Sequence, residues 1–143
     1  MNEKTIQLIS CLRENSREKL TSISKKTNIP ISTLFDLLKE LKEEMITKNT
    51  VLINFSRLGY NVRAQILVKV NDKEGIKKHF LCNPNVNNVY KINNGWDFMI
   101  EVIHKNIKLL DDFIEGLNEK FFLEKYEVHY LVDEVKREGF LFS

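Results

Sequence analysis

The sequence predicts an α+β protein with a helical N-terminal part and a C-terminal part in the order β-α-β-β-α-β. Up to about Met45, apolar residues recur at three- and four-residue spacing, which is typical of amphipathic helices. Beyond Met45, alternating strand-like stretches enclose two further stretches of helical spacing. This later order predicts a ferredoxin-like fold, in which two helices cover one face of the sheet.

Three apolar stripes predict three helices in the N-terminal part. Turn-forming residues separate them at Asn15-Ser16 and at Asn28-Ile29-Pro30. The stripes consist of Ile6, Leu8, Ile9 and Leu12; then Leu20, Ile23 and Thr27; then Leu34, Leu38, Leu41 and Met45.

The elements of the C-terminal part follow one another with clear breaks. A β-prone stretch at 50–55 leads into a linker at 56–61. The remaining elements are a strand at 64–70, a helix at 73–81, strands at 86–92 and 96–104, a helix around 109–117 and a strand at 126–132.

The second and third predicted helices fit a helix-turn-helix. Its tight turn requires a residue that tolerates positive φ. After glycine, asparagine tolerates this conformation best, and Asn28 stands at this position. Ile29 follows as an apolar plug, Ser24 is small where the two helices cross, and Pro30 suits a helix start. A helical hairpin without a DNA-binding function would explain the stripes, but it would not explain this whole set.

The third helix has a buried side and a side that is free to meet DNA. With about 100° per residue, the third stripe falls within roughly 40° of Leu34, and Leu37 flanks it. Phe35 either contacts a thymine methyl or packs against the first helix or the following strand. The predicted DNA-facing residues of the helix are Ser32, Thr33, Phe35, Asp36, Lys39 and Lys42.

A second set of basic residues is expected to contact phosphates together. Residues 1–60 hold ten Lys/Arg and seven Asp/Glu, a net charge of +3, against −1 for 61–143. Taken singly, each of these residues is more often an ordinary solvated side chain. The set comprises Arg17, Lys19, Lys25, Lys26 and Lys48.

Composition argues against several other classes of protein. No apolar run approaches the length of a membrane span, and the N-terminus lacks the basic start of a secretory signal. Cys11 and Cys82 give neither a disulfide framework nor a zinc spacing. We therefore expect a cytoplasmic protein without a metal site, a cofactor or a membrane partner.

The chain resembles the Lrp/AsnC family of transcription factors over about residues 3–137. The stretch "REKLTSISKKTNIPISTLFDLLKELKEEMITKNTVLIN" resembles that family's DNA-binding half, and "PNVNNVYKINNGWDFMIEV" resembles its sensing domain. The resemblance implies a winged helix-turn-helix at 1–55, a hinge at 56–61 and a ferredoxin-like, RAM-type domain for effector binding and oligomerisation at 62–143. Lys19 and Asn28 stand where the family usually has a small capping residue and a glycine.

The resemblance also implies partners. Double-stranded DNA would be bound by a dimer, or a larger even-numbered assembly, formed through the C-terminal sheets. A small molecule, commonly an amino acid, would bind near the turn made by Asn94, Gly95, Trp96 and Asp97. The alternative, which we favour, is a structural turn in which Asp97 caps backbone groups and Trp96 packs at the dimer interface.

Two other functions are compatible with this architecture. One is an enzyme that resembles the sirohaem decarboxylases, for which His104 and His129 would have to approach across the sheet. A histidine at a surface or a strand end is the more common case, and we predict no catalytic residues. The other is an assembly module without DNA binding, which the weakly basic third helix leaves open. The favoured prediction is a transcriptional regulator that binds DNA weakly per subunit and in a salt-sensitive way.

Overall fold

The computed structural model describes residues 2–142 as two compact units. The first contains the chain up to Leu52 together with the C-terminal segment from Lys136, and the second is Ile53–Val135. The predicted boundaries at 1–55, 56–61 and 62–143 stay a prediction. In the structure, the segment from Lys136 belongs to the first unit.

The first unit is a three-helix cluster built on α1 (Glu3–Glu14), α2 (Leu20–Thr27) and α3 (Ile31–Glu44). Asn2 caps α1, since its side-chain oxygen accepts a hydrogen bond from the Thr5 N–H at 2.8 Å. The α2 helix begins after Lys19 without a side-chain cap. The buried core consists of Leu8, Ile23, Ile29, Leu34 and Leu41.

The C-terminal segment from Lys136 packs against α1 in the first unit. The Arg13 guanidinium donates hydrogen bonds to the backbone oxygens of Phe140 at 3.1 Å and Glu138 at 3.0 Å. It also lies 3.6 Å from the Glu138 carboxylate. One arginine of α1 therefore holds two points of this segment.

The second unit is a four-stranded antiparallel sheet covered by two helices. The strand order is β2-β3-β1-β4, which together with the chain order confirms the predicted ferredoxin-like arrangement. The elements are β1 (Val62–Lys69), α4 (Lys73–Cys82), β2 (Val86–Lys91), β3 (Phe98–His104), α5 (Ile107–Phe121) and β4 (Lys125–Tyr130).

Alternation along the strands sorts the side chains of the sheet onto two faces. Ala64, Ile66 and Val68 of β1 are buried with the helices, and the intervening residues of β1 point to the other face. Asp72 and Asn106 cap α4 and α5 by accepting hydrogen bonds from backbone N–H groups, each at 2.9 Å. Polar N-caps and the period-2 burial pattern thus fix where these elements start and which side they bury.

One predicted β-prone stretch differs in the structure. Among the described residues, 46–54 have no regular secondary structure, and a short 3₁₀ helix, Phe55–Leu58, follows. It ends at Gly59, whose positive φ of 85° suits glycine. A strand needs a neighbouring strand to share its hydrogen bonds, and the described sheet contains only β1–β4. Within residues 2–142, no helix is long and apolar enough to cross a membrane.

Candidate nucleic-acid interface

The turn between α2 and α3 is closed by local hydrogen bonds. Asn28 adopts the left-handed conformation with φ 59° and ψ 23°, as the sequence predicted. Its N–H donates to the Ser24 carbonyl at 2.8 Å, and the Ser24 hydroxyl donates to the Ile29 carbonyl at 2.6 Å. Ile29 is buried in the core of the first unit. The turn therefore sets the direction in which α3 leaves α2.

Asn28 offers a direct test of this turn. Asn28→Gly is expected to stabilise the first unit by about 0.5–1 kcal/mol, because glycine adopts positive φ without steric cost. Asn28→Ala is expected to destabilise the unit by about 1 kcal/mol, since alanine carries the full penalty of the left-handed region. Urea unfolding followed by circular dichroism measures both. Equal effects of glycine and alanine would contradict this account of the turn.

The α3 helix buries its leucines, as predicted. Leu34 is 0% exposed and Leu41 is 3% exposed, while Leu37 and Leu38 are half-buried. The structure corrects one member of the stripe. Met45 is 44% exposed, because the helix ends at Glu44 and the Met45 backbone has left the helical conformation.

The opposite side of α3 carries the predicted DNA-facing residues. Phe35 is 62% exposed, so the alternative in which it packs against the first helix or the following strand is wrong, and its contact with a thymine methyl stays a prediction. Ile31, 47% exposed, was missed, although its spacing of four from Phe35 was a readable signal. The structure thus brings Ser32, Phe35, Asp36, Lys39 and Lys42 together as exposed side chains of one helix, and Thr33 is half-buried at its start.

The start of α3 suits an anion. Pro30 precedes the first helical residue, Ile31, and no side chain caps this end. The first turn contains no acidic residue. By helix geometry, the N–H groups of Ile31, Ser32 and Thr33 have no carbonyl partner within the helix, and the helix dipole favours a negative charge there. A DNA phosphate is the anion that such a position is suited to bind.

The basic residues around α2 and α3 are not equivalent. Arg17, Lys19, Lys25 and Lys48 are exposed, as predicted for phosphate contacts. Lys26 forms an ion pair with Glu18, whose side chain is 11% exposed, and the hydrogen bond to Glu18 raises the pKa of Lys26. Part of the charge of Lys26 is therefore already compensated within the protein.

The charge of α3 itself is unusual for a helix that meets DNA. It holds two lysines and four acidic residues, a net charge of −2. Phosphate attraction from this helix is therefore small, and the basic residues outside it would have to supply most of it.

The turn between β2 and β3 holds the predicted effector residues. Asn94 and Gly95 have positive φ values of 68° and 86°. Asp97 accepts a hydrogen bond from the Val70 N–H at 2.9 Å, which holds the pKa of its carboxyl below the ordinary value. Asp97 therefore caps a backbone group, as the structural alternative required. The roles of Asn94, Gly95, Trp96 and Asp97 in effector binding stay a prediction.

Two lysines complete the surroundings of this turn, and no sequence pattern indicated either of them. Lys73 Nζ lies 3.4 Å from the Asp97 carboxylate, and Lys125 Nζ lies 4.2 Å from the centre of the Trp96 ring. The second contact is a cation–π interaction, which fixes the Trp96 ring beside β4.

The two histidines considered for an enzyme do not meet. Because β1 lies between β3 and β4, His104 and His129 are separated by a strand. His104 is buried beside Phe113 on the helix-covered side, and burial lowers its pKa. His129 is exposed on the other face, next to Glu127. Within residues 2–142, no cluster of three or more His, Cys, Asp or Glu side chains is placed to hold a metal ion.

No family model matches the chain, but comparison with known proteins finds similar proteins that are named as transcriptional regulators. The HTH-type transcriptional regulator FL11 of Pyrococcus furiosus is 31% identical over 114 residues, which cover 76% of this chain and 74% of FL11.

Solved structures share the fold at lower sequence identity. An AsnC family transcriptional regulator from Agrobacterium tumefaciens has a TM-score of 0.88 at 14% identity, covering 99% of this chain and 96% of that one. The complex of transcriptional regulator NMB0573 from Neisseria meningitidis with L-Met has a TM-score of 0.87 at 15% identity, covering 96% and 93%.

Proposed function

The chain belongs to the Lrp/AsnC family of HTH-type transcriptional regulators, and on that premise we propose that it acts by placing α3 in the major groove of an operator. The observation that carries the proposal is the closed turn at Asn28, after which α3 buries Leu34 and presents its other side to solvent. Exposed basic residues flank this helix and are suited to phosphate contacts.

Binding by one subunit is weak in this proposal. Two lysines on a helix of net charge −2 provide little phosphate attraction. Affinity then depends on two or more DNA-binding units engaging one DNA molecule together. A dimer would contact two half-sites about one helical turn, roughly 34–36 Å, apart.

Salt dependence tests the phosphate contacts. Lys39→Ala and Lys42→Ala are each expected to lower the slope of log K against log salt by about 0.9, because each lysine that neutralises a phosphate releases counterions. Lys26→Ala is expected to change the slope less, because Glu18 already pairs with it. Fluorescence anisotropy of a labelled duplex between 50 and 200 mM salt, about the range over which such contacts weaken, measures the slopes.

A matched control for these variants is Lys78→Ala, which removes an exposed lysine from α4 in the second unit. It should leave the slope unchanged. A slope of log K against log salt near zero for the wild type would show that these residues do not contact phosphates. The absence of any gel shift with the protein's own promoter DNA at low salt would favour the assembly module without DNA binding.

Assembly is proposed through the face of the sheet that the helices leave open. Leu67 and Met99 are directly opposite each other on β1 and β3, on this face, and both are half-buried in the single chain. Such a central apolar pair suits an interface between sheets. Light scattering after size-exclusion chromatography should report a dimer or a larger even-numbered assembly. Leu67→Lys should shift it toward the monomer, and a monomeric wild-type protein would overturn this part.

An amino-acid effector is also part of the proposal. The support is that a protein of the same fold was solved in complex with L-Met, together with the polar turn at 94–97. Isothermal titration against the twenty amino acids tests it. We expect heat from at least one amino acid and a weaker response in Gly95→Val. Silence from all twenty would overturn amino-acid sensing without affecting DNA binding.

A further inference from the structure

Two large apolar side chains on α3 are exposed, one helical turn apart. Ile31 is 47% exposed and Phe35 is 62% exposed. With about 100° per residue, they lie roughly 40° apart around the helix axis, so they form one continuous surface. We call this surface the Ile31–Phe35 patch.

The core of the first unit does not use this patch. Leu34 and Leu41 fill the core from the other side of the same helix. Single exposed apolar residues are common in proteins, but an adjacent pair at the tip of a helix that meets DNA points to a binding role. Because both side chains are largely exposed, they contribute little to the stability of the fold.

The position of the patch along α3 indicates what it contacts. In a helix-turn-helix, the N-terminal residues of the second helix approach base edges in the major groove. Ile31 and Phe35 lie in that N-terminal part, whereas Lys39 and Lys42 follow toward the C-terminus. The patch is therefore placed for bases, and the lysines for the backbone.

Only one base offers an apolar group in the major groove, because the C5-methyl group of thymine has no counterpart on the other three. We propose that the Ile31–Phe35 patch selects thymine at defined positions of the operator half-site by packing against these methyl groups. This inference rests on the proposed function and adds sequence preference to it.

The experiment compares thymine with deoxyuridine, which lacks only the methyl group. Duplexes are first selected from a random double-stranded pool by the full-length protein and sequenced. The best site is then synthesised with deoxyuridine at each selected thymine, one at a time, and affinity is measured by anisotropy at fixed salt. The control duplex carries deoxyuridine only in the flanks outside the selected site.

The wild-type protein is expected to lose about fourfold in affinity per contacted methyl, the value of one buried carbon. The double variant Ile31→Ala/Phe35→Ala should bind thymine and deoxyuridine duplexes equally, with an unchanged salt slope, and Phe35→Ala alone should lose the part of the discrimination that the ring supplies. Phe35→Leu should keep part of the discrimination. Leu81→Ala, which trims a 69% exposed leucine on α4, should keep all of it.

Failure of this inference is distinguishable from failure of the proposed function. If duplexes are bound but deoxyuridine costs nothing, or if the double variant Ile31→Ala/Phe35→Ala still discriminates, the inference is wrong and the proposed function stands. If Phe35→Ala changes only the size of the assembly in light scattering, a second copy of the chain covers the patch and the inference is wrong. If no duplex binds even at low salt, both fail.

Discussion

Replacing Leu34 by alanine is expected to destabilise the first unit by about 3 kcal/mol, whereas Phe35→Ala next to it is expected to cost less than about 0.5 kcal/mol. Leu34 is 0% exposed and belongs to the buried core of the first unit, so its truncation removes buried apolar contacts and leaves a cavity. Phe35 is 62% exposed and loses little on truncation. The contrast separates the buried side of α3 from its exposed side.

Two optical signals allow the measurement in the full chain. The single tryptophan, Trp96, lies in the second unit, so its fluorescence follows that unit. Circular dichroism at the helical band also contains α1–α3. In urea, Leu34→Ala should lose helical signal early while the fluorescence transition stays in place. Equal costs for Leu34→Ala and Phe35→Ala would show that the two sides of α3 are wrongly assigned.

The second large effect is expected at Glu101, on the open face of the sheet. Glu101→Gln should destabilise the second unit by about 2–3 kcal/mol. One carboxylate oxygen accepts hydrogen bonds from Arg63 at 2.7 and 3.2 Å, and the other accepts from Asn88 at 2.9 Å and Asn87 at 3.2 Å. The Glu101 side chain is 12% exposed, so the loss of its charge leaves Arg63 without its more buried partner.

The pH dependence of this contribution has a definite sign. Burial alone would raise the pKa of Glu101, but the hydrogen bonds from Arg63, Asn87 and Asn88 outweigh it and hold the pKa below the ordinary value of 4.5. A depressed pKa stabilises the fold above the unfolded-state pKa, and this contribution is lost as the pH falls through the folded-state pKa. Acid unfolding of Glu101→Gln should therefore be shallower below pH 4.5 than that of the wild type.

A control and a double variant sharpen the Glu101 test. Glu124→Gln removes an exposed carboxylate that lies 3.5 Å from Lys69, and should change the free energy of unfolding by less than about 0.5 kcal/mol. Combining Arg63→Met with Glu101→Leu should recover much of the loss, since an apolar pair leaves no buried charge. Additive losses in the double variant would show that the two side chains act independently.

Local signals allowed much of the fold to be predicted. The leucine stripe of α3 and the positive φ of Asn28 depend on residues close in sequence, and both predictions were confirmed. The order of the sheet elements was also readable, because alternation and helical spacing change at each boundary. The angle of Phe35 relative to Leu34 left two alternatives open, and its 62% exposure in the structure decides between them.

The features that the sequence did not predict depend on distant parts of the chain. The β-prone stretch at 50–55 has the composition of a strand, but pairing requires a partner that composition does not supply. Whether His104 and His129 could meet was left open, because that depends on which strands are neighbours. The turn at 94–97 was predicted from its residues, but Lys73 and Lys125 reach it only through tertiary packing.

The contacts of Arg13 with Glu138 and Phe140 affect how the fragments from limited proteolysis of this protein are interpreted. The chain passes between its two units twice, once near Leu52 and again near Val135. A single nick in the irregular stretch at 46–54 severs only the first passage. The nicked protein would then run as two bands on a denaturing gel and as one species on a sizing column. Separation into two species requires a second cut near Val135 or release of the segment from Lys136 from its contacts with Arg13.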